Sequence, residues 1–155
     1  MSKIAAQEKA HTARPEKAAE AVEAGQSNPI SVVFEDDALL VIEKPRAMHC
    51  VTHRADDPLT VADYLALYCG KTLHASDDPR ESGLLQRLDY YTSGLLIAAK
   101  SSAAYQLLRT ALFEADIDKS YLALVEGIIE DDTFEIKLPL TQSKAGSRMK
   151  VVRNE

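Results

Sequence analysis

The segment 84–100, LLQRLDYYTSGLLIAAK, constrains the fold of this chain more than any other part of the sequence. Two largely apolar runs, 84–88 and 95–99, have the length and composition of buried strands, and a short polar stretch separates them. That stretch holds Asp89, two tyrosines and the sequence Thr-Ser-Gly, and Arg87 lies two residues before Asp89, which together are more than a turn requires. The pattern therefore predicts two strands with a cation and a carboxylate where they meet.

Asp89 is the candidate functional group of this stretch. Residues two apart on an extended strand point to the same side, so we expect Arg87 to lie beside the carboxylate and favour its ionised form. Apolar neighbours such as Leu85 and Leu88 would help to exclude water. A carboxylate of this kind can act as a nucleophile, a general base or a metal ligand. The residues alone leave these roles open, and a plain ion pair at a strand end is the alternative.

The N-terminal segment differs in composition from the rest of the chain. Residues 1–29 are rich in Ala, Glu, Lys and Gln and contain few aliphatic side chains larger than Ala. Such a segment cannot bury enough surface to offset the entropy that ordering costs. We therefore expect a disordered N-terminal extension, with transient helix over 16–24 at most.

The remaining residues, 30–155, predict one α+β domain with a mixed, largely antiparallel sheet and flanking helices. Apolar and β-branched runs indicate strands, and i, i+3, i+4 spacing indicates helices. In chain order, the first predicted elements are a hairpin over 30–42, a short strand over 49–53, a helix over 58–68 capped by Asp57, a loop over 71–83 and the two strands described above. A helix from Ser101 or Ser102 to 117 follows, and then strands over 119–129 and 133–140. The core-facing stripe of that helix comprises Tyr105, Leu108, Leu112 and the pair Leu107 and Ala111.

Composition excludes several classes of protein. No run reaches the roughly 18 to 20 apolar residues of a membrane span, and no apolar stretch resembles a secretory signal, so we expect a cytoplasmic protein. Cys50 and Cys69 are not in a metal-binding spacing, and we expect both to be reduced. The net charge of −6 argues weakly against nucleic-acid binding, although residues 137–155 hold five basic side chains and one acidic one. This basic segment can contact phosphate or simply be solvated.

The sequence RLDYYTSGLLIAAK closely resembles the R-L-D-x-x-T-S-G-L-L signature of the RluA-type pseudouridine synthases. Three further segments resemble the same family in the same order: VVFEDDALLVIEKP, DKSYLALVEG and IKLPL. Together they cover about 30–140, and four matches in order are not a chance result. The resemblance implies the N-terminal part of a catalytic domain that isomerises uridine to pseudouridine in ribosomal or transfer RNA, without a metal or an organic cofactor.

The resemblance also implies residue roles. Asp89 matches the catalytic aspartate, which promotes cleavage of the glycosidic bond. Tyr121 matches the tyrosine that packs on the target base and assists removal of the C5 proton. Arg87 matches the arginine that fills the space of the flipped-out nucleotide.

Other matched residues have supporting roles. Lys44 and Lys119 match motif lysines that are either structural or in contact with phosphate. Thr92 and Gly94 shape the loop of the motif, and the glycine supplies backbone freedom. Tyr90 and Tyr91 can stack on bases, although packing or loop support also explains them.

The chain departs from the family pattern in three places. Gln86 stands where a histidine is common, and Ala47 stands where a glycine is usual. No segment matches the later T-G-R-T-H-Q-I-R-like motif, whose arginine pairs with the catalytic aspartate. We therefore expect a domain truncated at its C-terminal end, which a second chain or a missing half would complete. The alternatives are a non-catalytic RNA-binding or interaction protein derived from such an enzyme and, less well supported, an unrelated carboxylate enzyme.

Overall fold

The computed structural model describes residues 14–23, 29–54, 56–142 and 149–152. The chain divides into two compact units, Met1–Asp118 and Lys119–Glu155. Within the described ranges, no helix has both the length and the apolar character that crossing a membrane requires.

The first unit is built on a three-stranded antiparallel sheet. Its strands are β1 (Ser31–Glu35), β2 (Leu39–Lys44) and β3 (Gly94–Ala99), in the order β1-β2-β3. The hairpin of β1 and β2 and the strand over 95–99 are thus confirmed. Leu40 and Ile42 of β2 are fully buried on one face, as the two-residue period of a half-buried strand requires.

The buried row of β2 ends in a charged side chain. Lys44 follows Leu40 and Ile42 on the same face, and it too is fully buried. The register pairs Lys44 with Gly94 of β3. Gly94 has a φ of 139°, which other residues rarely adopt, so the backbone freedom expected of this glycine is required. The strand pattern therefore brings an ammonium group into the interior at the end of the sheet where the Asp89 loop joins it.

Helices accompany the sheet. The described α-helices are α1 (Arg14–Glu23), α2 (Val61–Tyr68) and α3 (Ser102–Phe113). Two short 3₁₀ helices, Gly70–His74 and Pro79–Glu81, lie in a stretch that the sequence predicts to be loop. Helices beside an antiparallel sheet confirm the predicted α+β class.

The start of α2 differs from its prediction. The N-cap is Thr60, three residues after the expected Asp57. The Asp57 carboxylate instead accepts hydrogen bonds from the backbone N–H groups of His53 and Arg54, at 2.8 and 2.7 Å. The backbone N–H of Thr60 donates to Asp63 Oδ2 at 2.7 Å, the arrangement of a capping box.

Helix α3 begins where the sequence pattern predicts, but it ends at Phe113, four residues before the expected end at 117. Its N-cap is Ser101, whose hydroxyl oxygen accepts a hydrogen bond from the backbone N–H of Ala104 at 3.2 Å. Tyr105 is buried and Leu108 is half-buried against Ala104, which confirms the predicted stripe. Leu107 is 74% exposed, so the apolar face is narrower than expected.

Helix α1 lies within the segment for which the sequence predicts disorder. Arg14 is 4% exposed, and its Nε and Nη2 atoms donate to the two carboxylate oxygens of Asp63, each at 2.9 Å. The structure thus differs from the expectation over 14–23, because a buried bidentate ion pair with α2 anchors a helix that has few large apolar side chains. Apart from Pro29, the other residues of 1–29 lie outside the described residues.

In its described residues, 119–142 and 149–152, the second unit contains one small antiparallel pair, β4 (Leu140–Gln142) and β5 (Met149–Val151). The strands predicted over 119–129 and 133–139 are not formed: all of 119–139 is described, and it contains no strand. Its side chains are exposed throughout. A strand requires a neighbouring strand to pair with its N–H and C=O groups, so an apolar β-branched sequence is not sufficient by itself.

Candidate active site

Asp89 lies on a tight turn after a single bridge to the sheet. The predicted strand over 84–88 is reduced to one bridge, Leu84 to Ala98, with one further bond from the Leu85 N–H to the Ile97 carbonyl at 3.0 Å. Residues 86–89 then leave the sheet. The Asp89 carbonyl accepts a hydrogen bond from the Thr92 N–H at 3.0 Å, which closes a four-residue turn.

Lys44 supports this turn from inside the protein. Its Nζ donates to the carbonyl oxygens of Pro45 and Met48 at 2.9 Å each, and to that of Tyr90 at 3.3 Å. Burial lowers the pKa of Lys44, and the nearby negative charge of Asp89 acts in the opposite direction. The ammonium group therefore joins the end of β2 to the residue after Asp89, and the nearby carboxylate favours the charged state of the lysine.

Cys50 supports the turn from the other side of Asp89. Its thiol donates to the Leu88 carbonyl, and its sulfur accepts a hydrogen bond from the Leu88 N–H, both at 3.3 Å. Burial raises the pKa of the Cys50 thiol. The thiol therefore keeps its proton and can donate the hydrogen bond to the Leu88 carbonyl. The residue before Asp89 is thus bonded through both of its backbone polar groups.

The segment that supplies Cys50 is itself fixed to α2. The N–H groups of Val61 and Ala62, in the first turn of the helix, donate to the carbonyls of His49 and Cys50 at 3.0 Å. The short strand predicted over 49–53 is therefore wrong: the polar backbone groups of this segment satisfy a helix start instead of a sheet. Both cysteines are free thiols, in agreement with the sequence prediction.

A cleft of about 340 Å³ opens beside Asp89. The carboxylate of Asp89 and the guanidinium of Arg87 are exposed, and both residues line the cleft. The remaining lining combines apolar, aromatic and imidazole side chains. These residues are His49, Cys50, Val51, His53, Leu88 and Tyr90.

Arg87 and Asp89 do not form the expected ion pair. Among the described residues, no cation lies within 4 Å of the Asp89 carboxylate. The prediction assumed that both residues lie on a strand, where they would share a side. Residues 86–89 are not in a strand, so that alternation does not apply. Arg87 is left available to a ligand in the same cleft.

The six residues singled out from the sequence fall into two sets. Arg87, Asp89, Thr92 and Lys44 all belong to the first unit, where the turn and the end of β2 bring them together. Lys119 and Tyr121 belong to the second unit; Tyr121 is 65% exposed, and Lys119 is exposed as well.

Sequence reasoning did not identify Cys50 as a support of the turn. The bond between Cys50 and Leu88 joins residues 38 positions apart, and neither residue type indicates such a contact. The position of Lys44 could have been predicted, because successive side chains of a strand point to opposite faces and Lys44 falls on the same face as Leu40 and Ile42.

Comparison with known protein families assigns the chain. Residues 38–155 match the family described as RNA pseudouridylate synthase. The match includes the cleft, the turn and both supporting residues. The chain therefore belongs to this family, and the resemblance found from its motifs is confirmed.

Individual relatives agree with this assignment. YlyB of Bacillus subtilis, named as an uncharacterized RNA pseudouridine synthase, is 32% identical over 117 residues, which are 74% of this chain and 38% of that protein. The ribosomal large subunit pseudouridine synthase D of Zymomonas mobilis is 32% identical over 102 residues, or 66% of this chain and 32% of the relative. The synthase C of Pasteurella multocida is 34% identical over 122 residues, or 79% and 35%. The chain thus spans between 32% and 38% of the length of these relatives.

Proposed function

We propose that this chain provides the catalytic aspartate of an RNA pseudouridine synthase. The observation that supports this most directly is the position of Asp89 at an open cleft, on a turn fixed from within by Lys44 and Cys50. A base that is stacked inside an RNA helix cannot reach such a carboxylate, so the target nucleotide must be flipped out of its stack. A fixed carboxylate beside an empty space of this size suits that reaction.

The reaction is a rearrangement within one nucleotide. The bond between N1 of uracil and C1′ of ribose breaks, the base turns, and a bond between C5 and C1′ forms. The C5 proton leaves and N1 gains a proton, so atoms and electrons balance without an oxidant or a reductant. Asp89 promotes the first bond cleavage, either as a nucleophile or as a general base.

The other residues of the family motif have the remaining tasks. Arg87 occupies the place of the flipped nucleotide, a role supported by its exposure and its lack of an ion pair in the described part of the chain. Thr92 closes the turn through its N–H bond to Asp89. Tyr121 packs on the target base, and Lys119 contacts phosphate; both roles rest on the family motif and on exposure.

Lys44 has a structural role in this proposal. The family motif leaves open whether this lysine contacts phosphate or supports the protein. A side chain that is fully buried and bonded to three backbone carbonyls cannot reach a phosphate without breaking those bonds. We therefore assign Lys44 to positioning the turn.

The proposed substrate is RNA of the large ribosomal subunit, in the cytoplasm. Two relatives carry this substrate class in their names, as synthases D and C of the ribosomal large subunit. Transfer RNA is the alternative substrate. Because the net charge is −6, we expect modest affinity that falls steeply with salt.

The test follows the C5 proton. An RNA transcript of the large ribosomal subunit, labelled with tritium at C5 of uridine, releases tritium to water when pseudouridine forms. The Asp89→Asn variant should lose turnover by orders of magnitude and bind the transcript nearly as well as the unchanged chain. Asp37→Asn, which alters an exposed aspartate in the β1–β2 turn, is the matched control and should retain activity. Normal tritium release by Asp89→Asn would refute the proposal.

A second function is favoured by one observation. In the described residues, the Asp89 carboxylate has no cation within ion-pair distance. A non-catalytic RNA-binding protein derived from such an enzyme would show this feature. If the unchanged chain binds the transcript without releasing tritium, and no added protein segment restores release, this function replaces the first.

The second unit is proposed to self-associate through exposed apolar side chains when no further segment or second chain covers them. Three of its apolar side chains, Leu122, Leu124 and Ile128, are each more than 90% exposed. Single exposed apolar residues are common on protein surfaces, but several so close together in the chain are not. Sedimentation of the chain over a range of concentrations tests this proposal. We expect self-association that Leu122→Lys together with Leu124→Lys weakens; a monomer at every concentration would contradict it.

A further inference from the structure

Four aromatic side chains form a continuous row along the Asp89 cleft. In order they are His53, His49, Tyr90 and Tyr91, here called the aromatic row. Successive ring centroids are 5.5, 4.6 and 4.8 Å apart. Three of the four residues line the cleft itself, and Tyr91 follows Tyr90 on the turn. The roles proposed above for the reaction use none of these rings.

No pair of rings in the row is stacked in parallel, and the central pair, His49 and Tyr90, is tilted by 46°. The interplanar angles are 81° between His53 and His49 and 82° between Tyr90 and Tyr91, so each of these pairs meets edge to face. An edge-to-face contact leaves ring faces free, whereas parallel stacking would use them. Tyr91 is 69% exposed and Tyr90 is 36% exposed. Flat apolar surface is therefore available at the cleft.

The backbone that carries the row is held in place. The Tyr90 carbonyl accepts hydrogen bonds from Lys44 Nζ and from the Met48 N–H, at 3.3 and 3.2 Å. The His49 carbonyl accepts one from the Val61 N–H at 3.0 Å. Little conformational freedom of these backbone segments remains to be lost when a ligand binds, which makes the row a preorganised surface.

We propose that the aromatic row stacks on unpaired RNA bases beside the target nucleotide. On this basis the protein acts on uridines in loops or single strands in preference to uridines in a continuous duplex. The bases of a duplex stack on each other and offer no free face, whereas unpaired bases do. This inference rests on the proposed function, because it describes the RNA that surrounds the nucleotide at Asp89.

Charge at the cleft is compatible with RNA. Asp89 is the only carboxylate among the described cleft-lining residues, and the exposed guanidinium of Arg87 offsets it. The acidic character of the chain as a whole is thus not concentrated here. A phosphate of the same strand can approach Arg87 while its neighbouring bases meet the rings.

The test substitutes Tyr91, which is the most exposed tyrosine of the row. Two probes of equal length are used: a single-stranded oligoribonucleotide with 2-aminopurine next to uridine, and the same strand annealed to its complement. Tyr91→Ala should weaken binding of the single strand roughly five-fold or more and reduce the quenching of 2-aminopurine, since one stacked base contributes at least that factor. Duplex binding should remain within about two-fold, because phosphate contacts dominate it.

Aromatic replacements separate stacking from folding. Tyr91→Phe and Tyr91→Trp keep a ring and should retain quenching and single-strand affinity, which a loss of fold would not allow. Equal affinity of Tyr91→Ala and the unchanged chain for the single strand would overturn the inference, and so would an equal loss on both probes. If the chain releases tritium and neither that release nor RNA binding depends on Tyr91, this inference is contradicted and the proposed function is not. Tyr91-dependent single-strand binding without any tritium release contradicts the proposed function alone.

Discussion

Replacing Lys44 with methionine tests whether this buried lysine supports the Asp89 turn. Methionine has a similar length and no charge, so it fills the same space beside Ile42 without donating hydrogen bonds. Three carbonyls lose a donor: those of Pro45, Met48 and Tyr90. The Tyr90 carbonyl keeps the Met48 N–H as a partner, so two carbonyls are left without a described donor.

The expected loss of stability follows from those two carbonyls. Each partly buried carbonyl without a partner costs about 1–3 kcal/mol, so the gross cost is about 2–6 kcal/mol. Removing the ammonium group also removes the cost of burying its charge, which offsets part of that sum. We expect the free energy of unfolding to fall by about 2–3 kcal/mol. The turn loosens at the same time, so tritium release should fall more than RNA affinity does.

The measurement is urea unfolding followed by circular dichroism, combined with RNA binding over a range of salt concentrations. Lys119→Met is the matched control, since it makes the same chemical change at an exposed motif lysine of the second unit. The control should change the free energy of unfolding by less than about 0.5 kcal/mol. If Lys119 contacts phosphate, its loss reduces the slope of log affinity against log salt by about one phosphate contact.

The opposite pattern would refute the reasoning. A Lys44→Met variant that unfolds at the same urea concentration as the unchanged chain, and that loses one phosphate contact in the salt series, would place Lys44 on the RNA. The pH dependence gives an independent check. Burial lowers the pKa of Lys44 below its ordinary 10.5, so in the window just below 10.5 the unfolded chain binds more protons than the folded one. Stability relative to Lys44→Met should therefore rise with pH in that window.

Two further predictions concern the packing around the site. Arg14→Ala leaves the Asp63 carboxylate buried without its cation and should lower the free energy of unfolding by about 3–5 kcal/mol, measured by urea unfolding. If adding Asp63→Asn recovers part of this loss, the uncompensated charge is its cause. In the native chain, Cys69 should react with a disulfide reagent before Cys50 does. The reason is that burial limits access to Cys50 and raises the pKa of its thiol. Equal reaction rates of the two thiols would contradict this prediction.

Local patterns in the sequence predicted local structure well. The hairpin of β1 and β2, the strand β3 and the helix α3 each follow from periodicity and turn or capping residues within about 15 positions. Ser101 is an example, since its hydroxyl oxygen caps a helix that begins one residue later. The family motif likewise singles out Asp89 as the candidate catalytic residue, because the residues of the motif are contiguous.

Structure that depends on distant partners was not predicted. Helix α1 is anchored by Arg14 and Asp63, which are 49 positions apart, and composition carries no information about such a pair. The stretch 119–139 has the residues of strands, but a strand also needs a neighbour, which the sequence of the segment does not reveal. The ion pair expected between Arg87 and Asp89 is absent for a related reason. The prediction required both residues to lie on a strand, but backbone pairing of this segment with β3 ends at Leu85.

The geometry of Asp89 arises where these two kinds of information meet. The motif places Gly94 five positions after Asp89, which leaves room for the four-residue turn 89–92 before the chain enters β3. The register then places Gly94 opposite Lys44, and the alternation of β2 directs that lysine inward. The ammonium group consequently lies beneath the turn, where it reaches the Tyr90 carbonyl. A contiguous motif thus selects the carboxylate, whereas strand register supplies the buried cation near it, and this is why the supporting cation is Lys44 and not its sequence neighbour Arg87.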